Sequence, residues 1–588
     1  MNEKALPMTM DEALDRGWDS LDVILVTGDS YVDHPSFGVA VVGRYLQSLG
    51  LSVGLLASPD KDNIDDFKKL GCPNLFFGVT AGNLDSMIML RTALNKHRSD
   101  DAYVAGGKAG RRPPRATLVY CNKLRQAYKG VGIVIGGLEA SLRRFTHYDY
   151  WSDKVRRSIL QDSKADLLVY GMAERPLDAI VTAMREGKSL KELKNIPGTA
   201  VMISNGELDA VDSRALEIPS YEAVISDKKE YAAASKQIHL NQNPYSARPL
   251  AQDHGDRYLL VNPPALPLST EEIDGVYALP FTRRPHHAYS ESIPAWEMIR
   301  DSIIAMRGCF GGCSFCSLTV HQGRAIQSRS KDSILKEVRR IAKMEDFKGY
   351  VSDIGGPTAN MYEMVCGQPE VEAVCRRLSC VHPKVCSRLV TGHEPQIEML
   401  EEARSIEGVK KVFISSGVRY DLANQSPEYI RQLACHHVSG QLKVAPEHCN
   451  SKVLGLMRKP SIESYEKFVK NFLAESKKAG LEQYVIPYFI SAHPGCGIAE
   501  EVEMAEYLKE RNIKPRQVQD FIPVPMTLSA DIYYCGFDPI SRREVKTDTG
   551  GKERRLHRAL MQYFKPENEG DVSEALKRVG KKSLGQAT

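Results

Sequence analysis

The stretch Arg307-Gly-Cys-Phe-Gly-Gly-Cys-Ser-Phe-Cys316 places three cysteines, Cys309, Cys313 and Cys316, within eight residues. Thiolates at spacings of four and three can surround one small inorganic centre, and three of them leave a four-iron cluster one protein ligand short. A structural zinc site is the alternative, but such sites usually take four ligands in two paired halves. The nearest histidine, His321, stands alone after the third cysteine. The spacing therefore favours an iron-sulfur cluster with one open iron.

The composition is that of a multidomain globular protein. A chain of 588 residues with 42% hydrophobic residues is too long for one core, and its net charge of +4 excludes a broad nucleic-acid or membrane-binding surface. No apolar run approaches about eighteen residues, and the first residues lack the apolar core of a secretory signal. The odd number of cysteines, 13, does not indicate a disulfide framework. We expect a cytoplasmic protein with reduced thiols and no membrane partner.

From about residue 300 the chain alternates short apolar strands with amphipathic helices. Strands are predicted at 301–306, 349–354, 411–415, 441–445, 484–490 and 518–523, and helices at 331–344 and 462–479. About six such units predict a partial (β/α)6 barrel. The loops that follow the strands of a parallel barrel gather at one end, so the cysteine loop after the first strand marks the end that carries function.

Polar or glycine-rich turns follow the next three strands. Gly355 and Gly356 follow the second strand, Ser416 follows the third, and Glu447 follows the fourth. Glycines let the backbone approach a ligand closely. We expect these four residues to converge with the cysteines at the same end of the barrel.

The N-terminal third begins with a strand, a helix and a second strand, predicted at 21–27, 39–50 and 51–57. Two further apolar runs, 131–137 and 165–171, end in glycine, as buried parallel strands do. The pattern predicts a doubly wound α/β domain.

These motifs together resemble a known family. The cysteine spacing, with Phe315 just before the third cysteine, resembles the cluster motif of radical SAM enzymes. The segments 307–316, 353–362, 415–421, 444–448 and 490–495 are similar to the YgiQ-like family of radical SAM proteins, a resemblance that covers nearly the whole chain. It implies an enzyme in which S-adenosylmethionine chelates the open iron and one electron cleaves it to methionine and a 5′-deoxyadenosyl radical. The resemblance does not supply a substrate.

The same resemblance implies roles for individual residues. The metal ligands of the [4Fe-4S] cluster would be Cys309, Cys313 and Cys316. The SAM-binding residues would be Phe315, Gly355, Gly356, Ser416 and Glu447. The glycines occupy the place of the family's Gly-Gly-Glu motif, although its glutamate is replaced in this chain. The resemblance also implies an electron donor such as flavodoxin or ferredoxin.

We predict four segments: an N-terminal α/β domain at 1–200, an irregular linker at 201–294, the radical SAM core at 295–566, and a basic disordered tail at 567–588. The first is similar to the cobalamin-binding domains that precede several radical SAM cores. Residues 33–38 do not match the spacing of the histidine-ligating D-x-H-x-x-G motif. We therefore expect the fold of a cobalamin-binding domain but predict no histidine ligand for cobalt. Cobalamin binding without a protein histidine stays open.

A second group of cysteines follows within the core. Cys366, Cys375, Cys380 and Cys386 place four thiols within 21 residues. One hypothesis is an auxiliary [4Fe-4S] cluster or a zinc ion bound by all four thiolates. Their spacings of nine, five and six match neither a paired zinc template nor a ferredoxin run, so free buried thiols are the competing interpretation.

Two other functions compete with a radical SAM enzyme of unknown substrate. One is a non-catalytic iron-sulfur or zinc protein that acts as a redox sensor or scaffold. The other is cobalamin-assisted methyl or methylthio transfer, because residues 446–458 resemble the equivalent segment of methylthiotransferases. Production of 5′-deoxyadenosine separates the first from an enzyme, and a corrinoid absorption band identifies the second.

Overall fold

Apolar runs of three to six residues form the central sheet of the N-terminal region. The computed structural model describes residues 4–585, without the side chains of 209 and 210. These residues form two units: residues up to 300 with 320–323 and 373–376, and the remainder from 301 onward. In the described residues we find no helix of the length and apolarity that a bilayer crossing requires.

The first unit is built on a nine-stranded mixed sheet. Its five parallel strands lie side by side because helices connect them, and their residues are almost all buried. The strands lie in the order Val53–Ala57, Val23–Thr27, Phe76–Val79, Ile133–Ile135, Leu167–Val169, Thr199–Ser204, Arg257–Val261, Leu250–Asp253 and Leu216–Ile218. The predicted α/β domain is thus confirmed.

Helices pack on this sheet. At the end of one apolar run, glycines mark the place where the next helix begins. Gly136 and Gly137 follow the strand Ile133–Ile135 and begin the next helix. The helices are Met10–Leu14, Gly38–Ser48, Ser86–Leu90, Ala116–Ala127, Gly137–Leu142, Ile159–Ser163, Glu174–Arg185, Leu208–Val211, Tyr221–Ser226, Lys228–Leu240, Thr270–Tyr277 and Pro294–Ile299. Two ribbons complete the unit, Val32–Asp33 with Arg284–Pro285 and His147–Asp149 with Lys154–Arg156.

The structure differs from the predicted linker at 201–294. Thr199–Ser204 pairs antiparallel with both Leu167–Val169 and Arg257–Val261, so the sheet continues into this region. The sheet buries Leu259 and Leu260 completely. Residues 201–294 therefore belong to the first unit and contribute to its core.

The second unit contains the predicted barrel strands, paired in parallel. Ser302–Ile304 pairs with Asp353–Gly355, and Tyr350–Val351 pairs with Lys411–Val412. Gln441–Glu447 pairs with Tyr484–Ser491, whose end pairs with Gln519–Asp520. A short antiparallel pair, Met306–Arg307 with Gln327–Ser328, flanks the cysteine loop. The partial barrel is confirmed.

Helices follow the barrel strands as the apolar spacing predicts. Lys331–Ala342 buries Ile334, Val338 and Ile341 on one face. Ser426 begins another helix by accepting a hydrogen bond from the Tyr429 amide. The helices are Lys331–Ala342, Pro369–Glu372, Glu394–Arg404, Tyr420–Ala423, Pro427–Gln432, Leu433–His437, Ser451–Met457, Ile462–Lys478, Ile498–Glu510, Leu528–Cys535, Gly551–Met561 and Glu569–Arg578, and Leu318–Gln322 lies where the two units divide.

The C-terminal segment is ordered where disorder was predicted. Glu569–Arg578 forms a helix that buries Ala575 and Leu576 against Leu556 and Leu560. The helix is amphipathic, and its apolar face packs on this cluster although its composition is largely charged. Residues 586–588 lie outside the described part of the chain.

Candidate functional site

The cysteine loop leaves the first barrel strand through two turns that only glycine fits. Gly308 and Gly312 have φ of +86° and +63°. A Cβ on Gly308 would lie 2.0 Å from the Ala325 carbonyl oxygen, and one on Gly312 would lie 2.0 Å from the Leu378 carbonyl oxygen. The loop is therefore folded tightly against two neighbouring backbone segments.

Distant segments fix the middle of this loop. The Ser314 amide donates to the Met457 carbonyl at 3.0 Å, and the Ser314 hydroxyl donates to the Leu456 carbonyl at 2.7 Å. The Cys316 amide donates to the Cys313 carbonyl at 3.2 Å. These bonds set the direction of the loop without using the thiols.

The three thiols of the loop are free and surrounded by groups suited to anionic sulfur. The Gly311 amide donates to Cys309 Sγ at 3.4 Å, and the Thr358 hydroxyl lies 3.7 Å from it. Desolvation raises the pKa of Cys309 and raises that of Cys316 to about 12. Three thiolates confined here need a cationic centre to remain charged, so the donor set fits a cluster.

Arg419 lies beside these thiols and was not assigned to the cluster by the sequence. Its Nη1 is 3.6 Å from Cys313 Sγ, and its other nitrogens bind Asp421 in a bidentate pair of 3.0 and 2.7 Å. Asn360 holds the Arg419 backbone, accepting from its amide at 2.7 Å and donating to its carbonyl at 3.1 Å. The neighbouring acidic groups raise the pKa of Arg419, so this cation is permanent.

The ends of the second and third strands meet through Asp353. Its carboxylate accepts from the amides of Ser415 at 2.8 Å and Ser416 at 3.2 Å, and from the Ser416 hydroxyl. A Cβ on Gly355 would lie 2.8 Å from the Ser416 hydroxyl oxygen. The structure therefore brings Ser416 and the glycine turn together, and a larger residue at Gly355 would displace the serine.

Gly356 lies against Met306, on the short antiparallel pair that flanks the cysteine loop. A Cβ on Gly356 would lie 2.6 Å from the carbonyl oxygen of Met306, which lies a few residues before the first cysteine. The glycine turn and the cysteine loop are consequently neighbours, as their common position at the strand ends predicts.

Glu447 ends the fourth strand in a backbone conformation that is rare for this residue type. Its φ is +72°, it is 8% exposed, and its carboxylate lies 3.8 Å from the Lys459 ammonium. Burial raises the pKa of Glu447, while Lys459 and Arg419 act in the opposite direction. A strained, buried carboxylate between two cations is typical of a functional position.

Phe315 contacts a buried histidine that the sequence did not assign. Its ring packs edge-on to His493 with centroids 6.1 Å apart, and His493 Nε2 lies 2.7 Å from the Ser529 hydroxyl. That hydroxyl donates to the Ser314 hydroxyl at 2.7 Å. The His493 side chain of segment 490–495 therefore contacts the cysteine loop directly through Phe315 and indirectly through Ser529.

Part of the second cysteine group wraps the cysteine loop. The Cys380 amide donates to the Phe310 carbonyl at 3.0 Å, and the Cys386 amide donates to the Cys380 carbonyl at 2.8 Å. No set of three ligand atoms within 4.8 Å of one another, among the described residues, includes Cys366, Cys380 or Cys386. The auxiliary metal site at Cys366, Cys375, Cys380 and Cys386 stays a prediction.

Gly312→Ala is expected to lower the stability of the cysteine loop by more than about 1 kcal/mol, because the new Cβ meets the Leu378 carbonyl at a left-handed φ. Iron content after anaerobic reconstitution measures the effect. Gly455→Ala is the control, because Gly455 is helical and a Cβ added to it would have nothing within 4 Å. Equal iron in both variants would contradict the assignment of a tight loop.

Comparison with known proteins identifies the regions just described. Residues 5–302 match the family model "Radical SAM N-terminal", residues 303–525 match "Radical SAM superfamily", and residues 516–586 match a domain of unknown function, DUF3362. The UPF0313 protein GSU2873 of Geobacter sulfurreducens is 49% identical over 99% of this chain and 96% of its own length. The UPF0313 protein YgiQ of Salmonella typhimurium is 48% identical over 98% of this chain and 88% of its own.

A solved structure supports the fold of both regions. The radical S-adenosylmethionine methyltransferase TsrM from Kitasatospora setae aligns with a TM-score of 0.50 at 14% identity, covering 86% of this chain and 75% of TsrM. Similarity at this identity concerns the fold alone. The cysteine loop, the matched families and the full-length relatives together place the chain in the YgiQ-like family of radical SAM proteins, which use a [4Fe-4S] cluster and S-adenosylmethionine.

Proposed function

We propose that the chain is an enzyme that cleaves S-adenosylmethionine reductively and acts on a substrate at the end of the barrel that carries the cysteine loop. The supporting observation is the convergence of this loop with the polar strand ends. When bound, the cluster and S-adenosylmethionine supply a 5′-deoxyadenosyl radical, which abstracts hydrogen from or otherwise attacks the substrate.

The chain's own residues would bind and orient these groups. Cys309, Cys313 and Cys316 would hold three irons as thiolates, and Arg419 would stabilise their negative charge. The backbone at Gly355 and Gly356 and the Ser416 hydroxyl would bind S-adenosylmethionine together with Glu447, and Phe315 would pack near the adenine. These last roles rest on position at the strand ends and on the contacts around Asp353.

The proposed chemistry implies a cellular compartment and an electron donor. Reduced thiols and an iron-sulfur cluster require a reducing compartment, so we propose a cytoplasmic location. Reductive cleavage requires a low-potential electron donor, for which flavodoxin or ferredoxin is suitable.

Methyl or methylthio transfer assisted by cobalamin is the second candidate. TsrM, whose fold is similar over both regions, is a radical S-adenosylmethionine methyltransferase, and this supports methyl transfer as a candidate. Residues 33–38 offer no histidine-ligating motif, so a corrinoid would have to bind without a cobalt ligand of that kind. The purified protein would show a corrinoid absorption band if this candidate is correct, and reconstituted protein without affinity for cobalamin would exclude it.

An anaerobic assay of S-adenosylmethionine cleavage tests the main proposal. We expect the reduced, cluster-replete protein to release 5′-deoxyadenosine and methionine, and the Cys309→Ala/Cys313→Ala/Cys316→Ala variant to release neither. A cluster-replete wild-type protein without 5′-deoxyadenosine would favour a sensor. Repeating the assay with fractionated cell extract identifies substrate fractions by an increased rate.

Asp353→Ala is expected to raise the KM for S-adenosylmethionine by about tenfold, because the Ser416 amide and hydroxyl lose the carboxylate that positions them. Iron content should stay at the wild-type value. The control is Ser415→Ala, which removes a hydroxyl that donates to the Ser352 carbonyl and leaves the Ser415 amide in place. A loss of iron with an unchanged KM would assign Asp353 to loop stability instead.

A further inference from the structure

A second group of metal-ligating side chains lies in the same unit, apart from the cysteine loop. Cys496 is 1% exposed, and Glu501, His557 and His448 are 0% exposed. Cys496 lies just before the helix Ile498–Glu510, Glu501 lies in its first turn, and His557 lies on Gly551–Met561. The proposed function assigns no role to these groups.

The ligand atoms of Cys496, Glu501 and His557 are separated by distances similar to those between the ligands of one small cation. Cys496 Sγ lies 3.2 Å from Glu501 Oε2 and 3.9 Å from His557 Nδ1, and the last two atoms are 2.7 Å apart. A tetrahedral zinc ion with bonds of about 2.0–2.3 Å separates its ligand atoms by roughly 3.3–3.7 Å. The observed separations bracket that range.

His557 is oriented as a metal-binding histidine. Its Nε2 lies 3.1 Å from Asp548 Oδ2, so the proton on Nε2 is donated to this carboxylate. Nδ1 lies 2.7 Å from Glu501 Oε2 and, without a cation, donates a hydrogen bond to it; a bound cation would replace that proton and take the lone pair of Nδ1. A histidine that binds a metal with one nitrogen and a carboxylate with the other is the usual arrangement in metal sites.

His448 has a different part in the group. Its Nδ1 accepts a hydrogen bond from the Asn450 amide at 3.0 Å, which leaves the proton on Nε2. Nε2 lies 3.5 Å from Cys496 Sγ and donates to it. This hydrogen bond makes His448 a partner of the Cys496 sulfur and not a ligand of the metal.

Glu501 has an oxygen that the protein leaves without a partner. Oε1 is buried and, among the described residues, has no hydrogen-bond partner. A buried, unsatisfied carboxylate oxygen costs free energy, and native structures rarely keep one. A cation bound by both oxygens of Glu501, by Cys496 and by His557 satisfies it and has four donor atoms.

We propose that Cys496, Glu501 and His557 bind one zinc ion, with His448 and Asp548 as hydrogen-bond partners of the ligands. Thiolate and imidazole ligands select zinc over magnesium or calcium. The site joins the helix Ile498–Glu510 to the segment that matches DUF3362. It thus gives this segment a role, which is to close a metal site next to the strand that ends at Glu447.

An open space lies beside the proposed ligands in the same unit. A cavity of about 1020 Å³ is lined by Gly497, Glu500 and Asp548 among other residues. Gly497 and Asp548 neighbour the proposed ligands in sequence or through a hydrogen bond, so this cavity lies beside the buried site. Accessible entry is one of the features expected of a real site.

Metal analysis of the full chain tests the proposal. We expect anaerobically purified protein to contain about one zinc per chain besides its iron, and Cys496→Ala and Glu501→Gln to lower zinc at least about tenfold while iron is retained. Cys449→Ala is the matched control, because Cys449 is buried in the same unit and packs with Met504 of the same helix. This control should keep its zinc.

Two further measurements separate this site from the cluster cysteines and need no stable ligand variant. The triple variant of Cys309, Cys313 and Cys316 should lose iron and keep zinc. X-ray absorption at the zinc edge of wild-type protein should show one sulfur with nitrogen and oxygen ligands. Zinc that disappears with the three cluster cysteines, three or four sulfur ligands, or wild-type protein without zinc would each overturn the proposal.

Discussion

Cys313→Ala is expected to reduce the rate of 5′-deoxyadenosine formation by more than about 100-fold and to remove most of the iron. Two thiolates cannot hold a four-iron cluster, and losing even an outer hydrogen-bonding partner of a metal site usually costs 10- to 100-fold. Arg419 would also lose the sulfur that its Nη1 faces at 3.6 Å. Iron analysis and anaerobic product analysis measure the two effects.

Cys435→Ala is the control for this substitution. Cys435 is a free, partly exposed cysteine on Leu433–His437. The iron content of the Cys435→Ala variant and its rate of 5′-deoxyadenosine formation should equal those of the wild type. Activity retained in the Cys313 variant would show that the cluster is bound elsewhere.

Arg419→Met is expected to lower the free energy of unfolding of the second unit by about 3–5 kcal/mol, because it leaves Asp421 buried without its cation. The side chains of Arg419 and Asp421 are only 8% and 10% exposed, so water cannot replace the bidentate pair. Denaturant unfolding followed by circular dichroism measures the loss.

A double variant separates the buried charge from the lost packing. Arg419→Met/Asp421→Asn removes both charges and should recover most of the lost stability, since the uncompensated carboxylate is gone. Its rate of S-adenosylmethionine cleavage should stay low, because the cation facing Cys313 is still missing. If the stability loss of the double variant equals the sum of the losses of the two single variants, the two side chains do not act as a pair.

The barrel was predictable because its strands and helices are regular. Apolar strands predicted at 441–445 and 484–490 appear as Gln441–Glu447 and Tyr484–Ser491. The first alternates exposed and buried residues over Gln441–Val444, and the second is apolar along most of its length, and both patterns are typical of strands. The region after residue 200 was missed because Leu250–Asp253 and Arg257–Val261 are short and joined by the charged turn around His254. Their pairing is set by the edge of a sheet built earlier in the chain.

The cysteine loop was predictable from local spacing, whereas its supporting contacts were not. The three cysteines and the glycines follow one another within ten residues. The contact of Arg419 with Cys313 and the bond of Ser314 to Leu456 join residues that only the folded barrel brings together. Local motifs therefore indicate the chemistry, and the groups that tune it emerge from tertiary structure.

Thr199–Ser204 lies between Leu167–Val169 and Arg257–Val261, so one of its two neighbours is made much later during synthesis of the chain. Until Arg257–Val261 has been synthesised, that strand has no neighbour on one side, and its backbone amides and carbonyls stay available to another nascent chain. A truncation between residues 204 and 257 would keep Thr199–Ser204 without Arg257–Val261, and such a fragment should aggregate. One that extends through Pro294–Ile299 retains the complete sheet and also the core residues Val276, Phe281 and Ile293, and should be the shortest N-terminal piece that can be isolated in soluble form.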